Sequence, residues 1–435
     1  MKENPMKRKI VLYFVLITAL FACQPNTSSD EQDFALVNGE KIPIIRVDLV
    51  ADSTTTIGWS ALFDEVNIIP LETSERCLIR NWRTGLSPNS LFLATQTGRL
   101  GPTRLMEFDF EGKYLRDFGA GGKGPGEHTG YLLGDVRYYL ETEQVLADFN
   151  GYPEEKHLFT RTGEFIANIK SPFELAGKTI MINPELYLTL GSIYGKPTYY
   201  RDSVLLEWHT QEGEVVKSIG RTIYPPENNN GFTPISGGRS LYRSGTIWRL
   251  FSPGNDTIYT IKGQEISQYA IFEFGNQYVQ LNKIIDPSEV IGRFMIQILS
   301  EDDNYWILKK SLVTVCDVND YGSGQWGGMW NFNESFIVID KSNGKSWNLS
   351  FEDDLLGIIP WKTLQYSLKW DESGKVYIII GALDLVEWID AAFDEGNITE
   401  PQLSKIRNLR QKIDENSNPV LFMLEKKRKF DLIKD

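Results

Sequence analysis

The chain has 435 residues, beyond the length at which a single compact core usually stops growing, so it should form several domains or a modular array. Hydrophobic residues make up 41% of it and aromatic residues 12%, which excludes global disorder. Its net charge of −13 excludes the basic footprint that nucleic-acid binding needs, and fits neutral or cationic ligands, a metal, or simple solubility.

Residues 1–22 have the pattern of a signal peptide. A basic stretch precedes an apolar run of twelve residues, 10–21, which is shorter than the roughly 20 residues needed to cross a bilayer but suits a signal-peptide core. The run ends in Leu20-Phe21-Ala22-Cys23, which resembles the lipobox of bacterial lipoproteins. That resemblance implies cleavage before Cys23 and lipidation of its thiol. The alternative is a plain secretory signal with a chance cysteine.

A flexible tether is predicted for residues 23–43, because they begin with a polar, acidic stretch that has no periodicity. Some surface-exported lipoproteins carry an acidic signal directly after the cysteine. Here the first acidic residues are Asp30 and Glu31, so the periplasmic and outer-surface faces of the outer membrane both stay open.

A strand-turn-strand unit recurs along the rest of the chain, after first strands at residues 44–52 and 62–79. The turn glycines of this unit lie 51, 50, 50 and 81 residues apart, at Gly112, Gly163, Gly213, Gly263 and Gly344. Fifty residues is about the length of one four-stranded propeller blade. The spacing therefore predicts an all-β propeller.

One amphipathic helix is predicted near the C-terminus, and the runs before it, including 376–383, read as strands. Thr399 can cap this helix with Pro401 in its first turn, and an apolar stripe follows until Asn416. A strand pattern then returns. This last strand would pair with the first unit and close the ring, which removes open edges.

A glycine-rich stretch at residues 118–127, FGAGGKGPGE, contains the G-x-G-x-x-G pattern of dinucleotide sites. A phosphate site also needs a helix N-terminus directly after the glycines, and here the chain continues with Pro125 and Gly126. We therefore interpret the stretch as a structural link between two blades.

With these elements in place, the chain resembles the six-bladed β-propeller lipoproteins of Bacteroidetes, distant relatives of NHL-repeat propellers. The late helix and four stretches carry the resemblance: LFDEVNIIPLET (62–73), FDFEGKYLRDFGAGGKGPGE (108–127), SPGNDTIYTI (252–261) and DENSNPVLFML (414–424). It implies a six-bladed propeller over residues 44–435, with one C-terminal helix before the closing strand, together with export and a lipid anchor. The family has no generally assigned catalytic residues, so none is predicted here.

Patterns for metal or acid–base chemistry are weak. The histidines His128, His157 and His209 lack metal-ligand spacing and are predicted to face solvent or lie in loops. The acidic runs 301–303 and 352–354 read as solvated turns, and Arg239, Arg243 and Arg249 as solvated strand edges. A calcium loop after Asp317 is rejected, because the ligand positions do not match. No cofactor, metal or serine-hydrolase motif is predicted.

The strongest ligand-like stretch is YGSGQWGGMW at 321–330. Tyr321, Trp326 and Trp330 could offer flat apolar faces to a sugar ring or a peptide side chain. His128, at the end of the glycine stretch, is the best additional candidate. Core or loop packing of these aromatic residues is the favoured alternative.

Beyond Cys23, Cys77 and Cys316 could form one disulfide or stay unpaired and buried, and we favour the second. The functional hypothesis is a lipid-anchored envelope propeller that binds a ligand or protein partner, with glycan or peptide handling as the setting. The alternative is a hydrolase or lyase with its site in the central channel, and a third is a structural scaffold.

Overall fold

The computed structural model describes residues 33–49, 55–96, 103–122, 124–128, 132–150, 155–170, 176–191, 204–220, 240–252, 256–279, 291–320, 326–360, 369–370, 375–396 and 398–427. These residues form six antiparallel blades of a closed propeller with two α-helices, which confirms the predicted six-bladed fold. Cys23, Tyr321 and residues 23–32 of the predicted tether lie outside the described residues.

Blades 1 to 3 are simple four-stranded meanders, in which each strand pairs with the next along the chain. Blade 1 consists of β5 (Asn81–Leu86), β6 (Ser90–Gln96), β7 (Thr103–Asp109) and β8 (Tyr114–Phe118). After the short strands β9 (Ala120–Gly121) and β10 (Glu127–His128), blade 2 consists of β11 (Leu132–Tyr139), β12 (Gln144–Asn150), β13 (Glu155–Thr160) and β14 (Phe165–Ile169). Blade 3 consists of β15 (Ala176–Asn183), β16 (Leu186–Gly191), β17 (Val204–His209) and β18 (Val215–Gly220).

Blades 4 and 5 carry extra strands from the N-terminal segment on their outer edges. Blade 4 consists of β19 (Ser240–Ser244), β20 (Ile247–Ser252), β21 (Thr257–Lys262) and β22 (Glu265–Glu273), and it gains β2 (Glu40–Arg46) and β1 (Phe34–Val37). Blade 5 consists of β23 (Phe294–Glu301), β24 (Tyr305–Asp320), β25 (Trp326–Asp340) and β26 (Ser346–Glu352), and it gains β3 (Thr55–Gly58). The ordered strands thus begin at Phe34, inside the stretch predicted as tether.

Blade 6 closes the ring by joining the two ends of the chain. Its strands are β27 (Lys369–Trp370), β28 (Val376–Ile380), β29 (Val420–Lys426) and, outermost, β4 (Phe63–Pro70), which follows a 3₁₀ helix at Trp59–Ala61. The antiparallel register runs from Val420 opposite Pro70 to Lys426 opposite Phe63. The predicted closure by the last strand is confirmed.

Two helices, α1 (Ala382–Glu395) and α2 (Glu400–Arg410), lie between β28 and β29. Helix α2 begins as predicted: Thr399 and Gln402 form a capping box, which satisfies N–H groups at the helix start. Helix α1 was not predicted, and the strand assigned to residues 376–383 ends at Ile380. The apolar residues of α1 follow directly on those of β28. The change from the two-residue period of a strand to the 3.6-residue period of a helix therefore lies within one hydrophobic run.

The recurrent turn glycines all join the third strand of a blade to its fourth, and all have positive φ. Gly112 shows why glycine is needed: its φ is 86° and a Cβ there would lie 2.1 Å from the carbonyl oxygen of Pro70. The turn therefore packs tightly on the end of β4 in blade 6. The 81-residue interval before Gly344 reflects the long strands β24 and β25 of 16 and 15 residues.

The hydrophobic core lies between successive blades. Neighbouring residues of β6 show the principle: Leu91 and Leu93 pack with blade 6 residues, whereas Phe92 packs with blade 2. Both faces of a blade are therefore buried, so its strands read as continuous apolar runs. Trp208 and Trp248 are buried in the core that joins blades 3 and 4.

Cys77 is a buried free thiol in the core between blades 6 and 1. Its Sγ lies 3.1 Å from the carbonyl oxygen of Glu72. Cys77 therefore forms no disulfide with Cys316, which is the alternative that we favoured from the sequence.

Candidate functional site

The two faces of the ring differ in the length of their connections. Because the strands are antiparallel, the turns after the first and third strands of a blade lie on one face, and they span two to five residues in blades 1 to 5. The opposite face holds the strand ends between which the chain passes from blade to blade, over longer stretches of sequence such as that from Gly220 to Ser240, and it carries the helix pair of blade 6. We call it the long-connection face. Binding residues concentrate on such connections when a rigid scaffold holds them.

The hairpin of β24 and β25 belongs to this face. The last pair between β23 and β24 is Phe294 with Leu312, whereas β24 and β25 continue to pair as far as Asp320 opposite Trp326. Among the described strands, residues 315–320 and 326–331 thus pair with each other alone. This two-stranded ribbon extends about 20 Å from blade 5, at roughly 3.3 Å per residue.

Two of the three predicted aromatic residues, Trp326 and Trp330, lie on this ribbon, and Tyr321 lies outside the described residues. Trp326 pairs with Asp320 and Trp330 with Cys316 along the backbone. His128, by contrast, pairs with Gly121 in the link between blades 1 and 2. The structure therefore places the two tryptophans on one strand and His128 in a different part of the ring.

The glycine-rich stretch folds as a compact link. The carboxylate of Glu127 accepts the Gly124 N–H at 2.7 Å, and a Cβ on Gly119 would lie 2.5 Å from the Gly126 oxygen. A Cβ on Gly126 would in turn lie 2.7 Å from Phe165 of blade 2. These close approaches account for the glycines, which supports the structural interpretation.

The prediction that His157 and His209 face solvent or lie in loops is wrong, because both are buried in strands. The ring of His157 packs edge-on to Phe149 at 5.3 Å. His209 Nε2 lies 2.8 Å from the hydroxyl of Thr189, and burial lowers the pKa of the imidazole. Both residues belong to the blade packing.

Several charged residues predicted to be solvated are buried or half-buried instead. Glu301 receives hydrogen bonds from Lys341 at 2.9 Å and Tyr242 at 2.8 Å, so it links blades 4 and 5. The guanidinium of Arg249 lies 3.4 Å from the ring centroid of Tyr269. The carboxylate of Asp353 accepts three backbone N–H groups of residues 356–359 and shapes that turn. The sequence could not show these contacts, because each partner lies across a turn or in another strand.

The innermost strands, which line the central channel, bring basic residues together. Five of them carry one described basic residue each: Arg83, Arg137, Lys178, Arg243 and Lys369. Three of these residues make contacts between blades. Arg137 donates to the Thr179 carbonyl, Lys178 donates to the Leu241 carbonyl at 2.8 Å, and Arg243 pairs with Glu141.

Lys369 also contacts a side chain of the next blade, at the junction of blades 6 and 1. The Lys369 ammonium donates to the Thr84 hydroxyl at 2.8 Å, and that hydroxyl lies 3.1 Å from the Tyr377 hydroxyl. Desolvation by the surrounding protein lowers the pKa of Lys369 to about 8, and the positive charge of Arg83 makes a second, smaller contribution. Both cations are nevertheless exposed to water, as expected for side chains that line a channel.

A second concavity lies away from the channel. It is an open groove of about 310 Å³ between β18 of blade 3 and the β21–β22 hairpin of blade 4, lined by residues that include Lys217, Lys262 and Glu265. The Lys217 ammonium donates to the Gln264 carbonyl across it at 2.6 Å. The groove thus marks a contact between two blades.

In the part of the chain that the structure describes, no helix is long and apolar enough to cross a membrane. The fold and its long-connection face define a six-bladed β-propeller with elaborated loops on one side. More particularly, the chain belongs to the family of the Domain of unknown function DUF4934, whose model matches residues 42–425.

The solved structures provide a likeness in fold. A candidate exported protein from Bacteroides fragilis shares 16% identity, with a TM-score of 0.59 over 88% of this chain and 100% of that chain. A member of the DUF4221 family from Bacteroides vulgatus shares 13% identity, with a TM-score of 0.47 over 84% of this chain and 97% of that chain. The first likeness supports the propeller fold. No curated protein matches the chain.

Proposed function

We propose that this protein is an exported, lipid-anchored propeller of the cell envelope that binds a glycan, peptide or protein partner at its long-connection face. The observation that carries the proposal is the difference between the two faces. Turns of two to five residues suffice on one side of blades 1 to 5, whereas the other side carries long links, a helix pair and a projecting ribbon. Added chain of this kind on a rigid ring is typical of a binding surface.

The ribbon of blade 5 is the part of this face best suited to an exposed contact. Trp326 and Trp330 occupy strand positions four apart, an even spacing that places residues on one face of a strand. Tryptophans in such a position suit the apolar face of a sugar ring or an aromatic peptide side chain.

The envelope location rests on the N-terminal sequence. Residues 1–22 and Cys23 have the pattern of a lipoprotein signal, and the similar Bacteroides fragilis structure is described as a candidate exported protein. Palmitate labelling of cells that express the full chain tests this part. Wild type should incorporate the label and Cys23→Ser should not, and equal labelling of both would contradict lipidation.

Binding at the ribbon is tested with the full mature chain against a panel of purified envelope polysaccharides and peptidoglycan fragments. Trp326→Ala and Trp330→Ala should each weaken the strongest binder of the panel at least tenfold, as loss of a stacked aromatic ring would. Phe34→Ala, which removes an exposed aromatic ring from the outer edge of blade 4, is the matched control. Equal affinity of all variants would remove the ribbon from the binding site.

The channel geometry also favours binding over the alternative of a hydrolase or lyase. Acid–base catalysis needs a positioned carboxylate or imidazole near the reacting atoms. Of the described side chains at the junction of blades 6 and 1, those that meet are the ammonium of Lys369 and the hydroxyls of Thr84 and Tyr377. This set contains neither a carboxylate nor an imidazole.

A further inference from the structure

The outermost strand of blade 4 presents an apolar surface to solvent. In β1, Phe34 and Leu36 occupy alternate positions, which places both side chains on one face of the strand. Their exposed fractions are 52% and 74%, and Leu36 is the most exposed of the large apolar side chains in the part of the chain that the structure describes. Adjacent apolar side chains that the core leaves uncovered mark a contact surface.

A free strand edge and a cation accompany this apolar pair. Strand β1 pairs with β2 on one side, and none of the described strands pairs with it on the other. Leu36 lies opposite Lys41 in the register, and the Lys41 ammonium lies 5.9 Å from the ring centroid of Phe34. Among the described residues, no carboxylate pairs with Lys41. The edge of blade 4 thus combines apolar side chains, a positive charge and unpaired backbone groups.

The length of the chain between the anchor and β1 says what can reach this edge. Residues 24–32 separate Cys23 from Asp33, which directly precedes β1. Because an extended chain spans at most about 3.6 Å per residue, Asp33 lies no more than about 36 Å from Cys23. A lipid on Cys23 therefore holds the edge of blade 4 near the bilayer. At the high effective concentration of a short tether, even a weak affinity for lipid is sufficient for contact.

We propose that the outer edge of blade 4 rests on the bilayer that holds the anchor, with Phe34, Leu36 and Lys41 in the headgroup region of a phospholipid surface. This inference rests on the lipid anchor of the proposed function. Aromatic and apolar side chains are stable at that depth, and a lysine there attracts anionic headgroups. Headgroups and water also satisfy the backbone groups of a free strand edge. Because β1 lies on the circumference of the ring, the contact leaves the long-connection face open to a ligand.

The test uses the complete lipidated chain in vesicles of phosphatidylcholine with phosphatidylglycerol. Leu36→Cys and Leu140→Cys variants carry a bimane label in a Cys316→Ser background, since Cys77 is buried and Cys23 carries the lipid. Leu140 is the matched control, because it is 61% exposed and directly follows the first strand of blade 2. A nitroxide lipid labelled at headgroup depth should quench the Leu36→Cys label and leave the fluorescence of the Leu140→Cys label unchanged.

Further variants in the same assay separate the apolar and the charged contribution. With the label at Leu36→Cys, Phe34→Asp should lower the ratio of docked to undocked molecules about tenfold, because an apolar side chain leaves the lipid. Lys41→Gln should lower it about fivefold in these vesicles and less in pure phosphatidylcholine, which has no net negative charge. Leu140→Asp should have no effect. Phe34→Ala stays a valid control for ribbon binding, because that assay contains no membrane.

The outcomes distinguish the docking surface from the anchor. If the complete chain carries no lipid and does not enter vesicles, both proposals are overturned. If the chain is anchored but its Leu36→Cys label is quenched no more than the Leu140→Cys label, the docking surface alone is overturned. Energy transfer between donor and acceptor labels at Leu36→Cys of separate molecules, without quenching by lipid, would also overturn it, since a second copy of the chain would then cover this edge.

Discussion

The junction between blades 3 and 4 and the junction between blades 6 and 1 use the same kind of residue differently. Lys178 is half-buried and donates to the Leu241 carbonyl of the next blade, whereas Lys369 is exposed and donates to the Thr84 hydroxyl of the next blade. Both lysines therefore join two blades. The buried backbone carbonyl depends on its lysine for a donor, whereas the Thr84 hydroxyl also lies 3.1 Å from the Tyr377 hydroxyl.

The largest loss of stability is expected at the junction of blades 1 and 2, where a buried carboxylate holds a charge network together. Glu107 of blade 1 is fully buried, accepts a hydrogen bond from Ser90 at 2.6 Å, and pairs with Arg116 and with Arg161 of blade 2. Glu107→Ala should lower the free energy of unfolding by about 3 kcal/mol, because it leaves these partners uncompensated. Urea denaturation measures the loss.

Asp117→Ala is the control for Glu107, because it removes the partly exposed partner of Arg104. Its cost should stay within about 1 kcal/mol. Equal costs for the two variants would show that burial of the network has no energetic importance.

Backbone packing at the junction of blades 6 and 1 is tested at Gly112. Gly112→Ala should destabilise the protein by about 2 kcal/mol or more, because the new Cβ would meet the Pro70 carbonyl at 2.1 Å and the φ of 86° is unfavourable for alanine. Gly344→Ala shares the positive φ but has open space, so about 1 kcal/mol is expected. Thermal melts of both variants check the difference, and a costlier Gly344→Ala would contradict the packing argument.

The two lysines form a matched pair for stability. Lys178→Met should cost about 1 to 2 kcal/mol, since the Leu241 carbonyl loses its donor. Lys369→Met at pH 7 should change stability by no more than about 0.5 kcal/mol or increase it slightly, because it also removes the repulsion with Arg83. Urea midpoints at pH 7 compare them. A similar loss in both would mean that the hydroxyl acceptor of Lys369 contributes as much to stability as the carbonyl acceptor of Lys178.

The smallest expected effect is the pH dependence of stability that comes from His209 in blade 3. Burial lowers the pKa of His209 below its unfolded value near 6.5, so the stability from the neutral imidazole is complete above about pH 6.5 and is lost as the pH falls through the lower folded pKa. Wild type should therefore lose more stability than His209→Gln between pH 7.5 and pH 5. Urea midpoints across this range provide the measurement, and parallel pH profiles would contradict it.

Much of the fold could be predicted from local signals. The positive-φ glycines recur because each blade needs the same tight turn, and Thr399 indicates α2 because capping depends on residues within one turn. Helix α1 escaped prediction because its apolar residues continue those of β28 without a break. A local pattern cannot mark the boundary between a strand and a helix when their apolar residues form one continuous run.

The surroundings of the candidate site residues, in contrast, could not be predicted from local signals. His157 and His209 have no sequence signal for burial, since their neighbours come from adjacent strands and blades. Thr84 and Lys369 are 285 positions apart, and they become neighbours because the last blade closes onto the first. The first strand of most blades carries a basic residue, but this pattern can be recognised only after the strands have been assigned to blades.

The placement of β1 to β4 along the outer edges of blades 4, 5 and 6 has a consequence for synthesis. The pairing of Val420 with Pro70 joins positions 350 residues apart, so a ribosome makes β4 long before its partner exists. Contacts of such long range slow folding, because the loop-closure entropy is lost before the pairing compensates for it. The nascent chain must therefore keep β2, β3 and β4 without their final neighbours until residues 273, 352 and 426, respectively, have emerged.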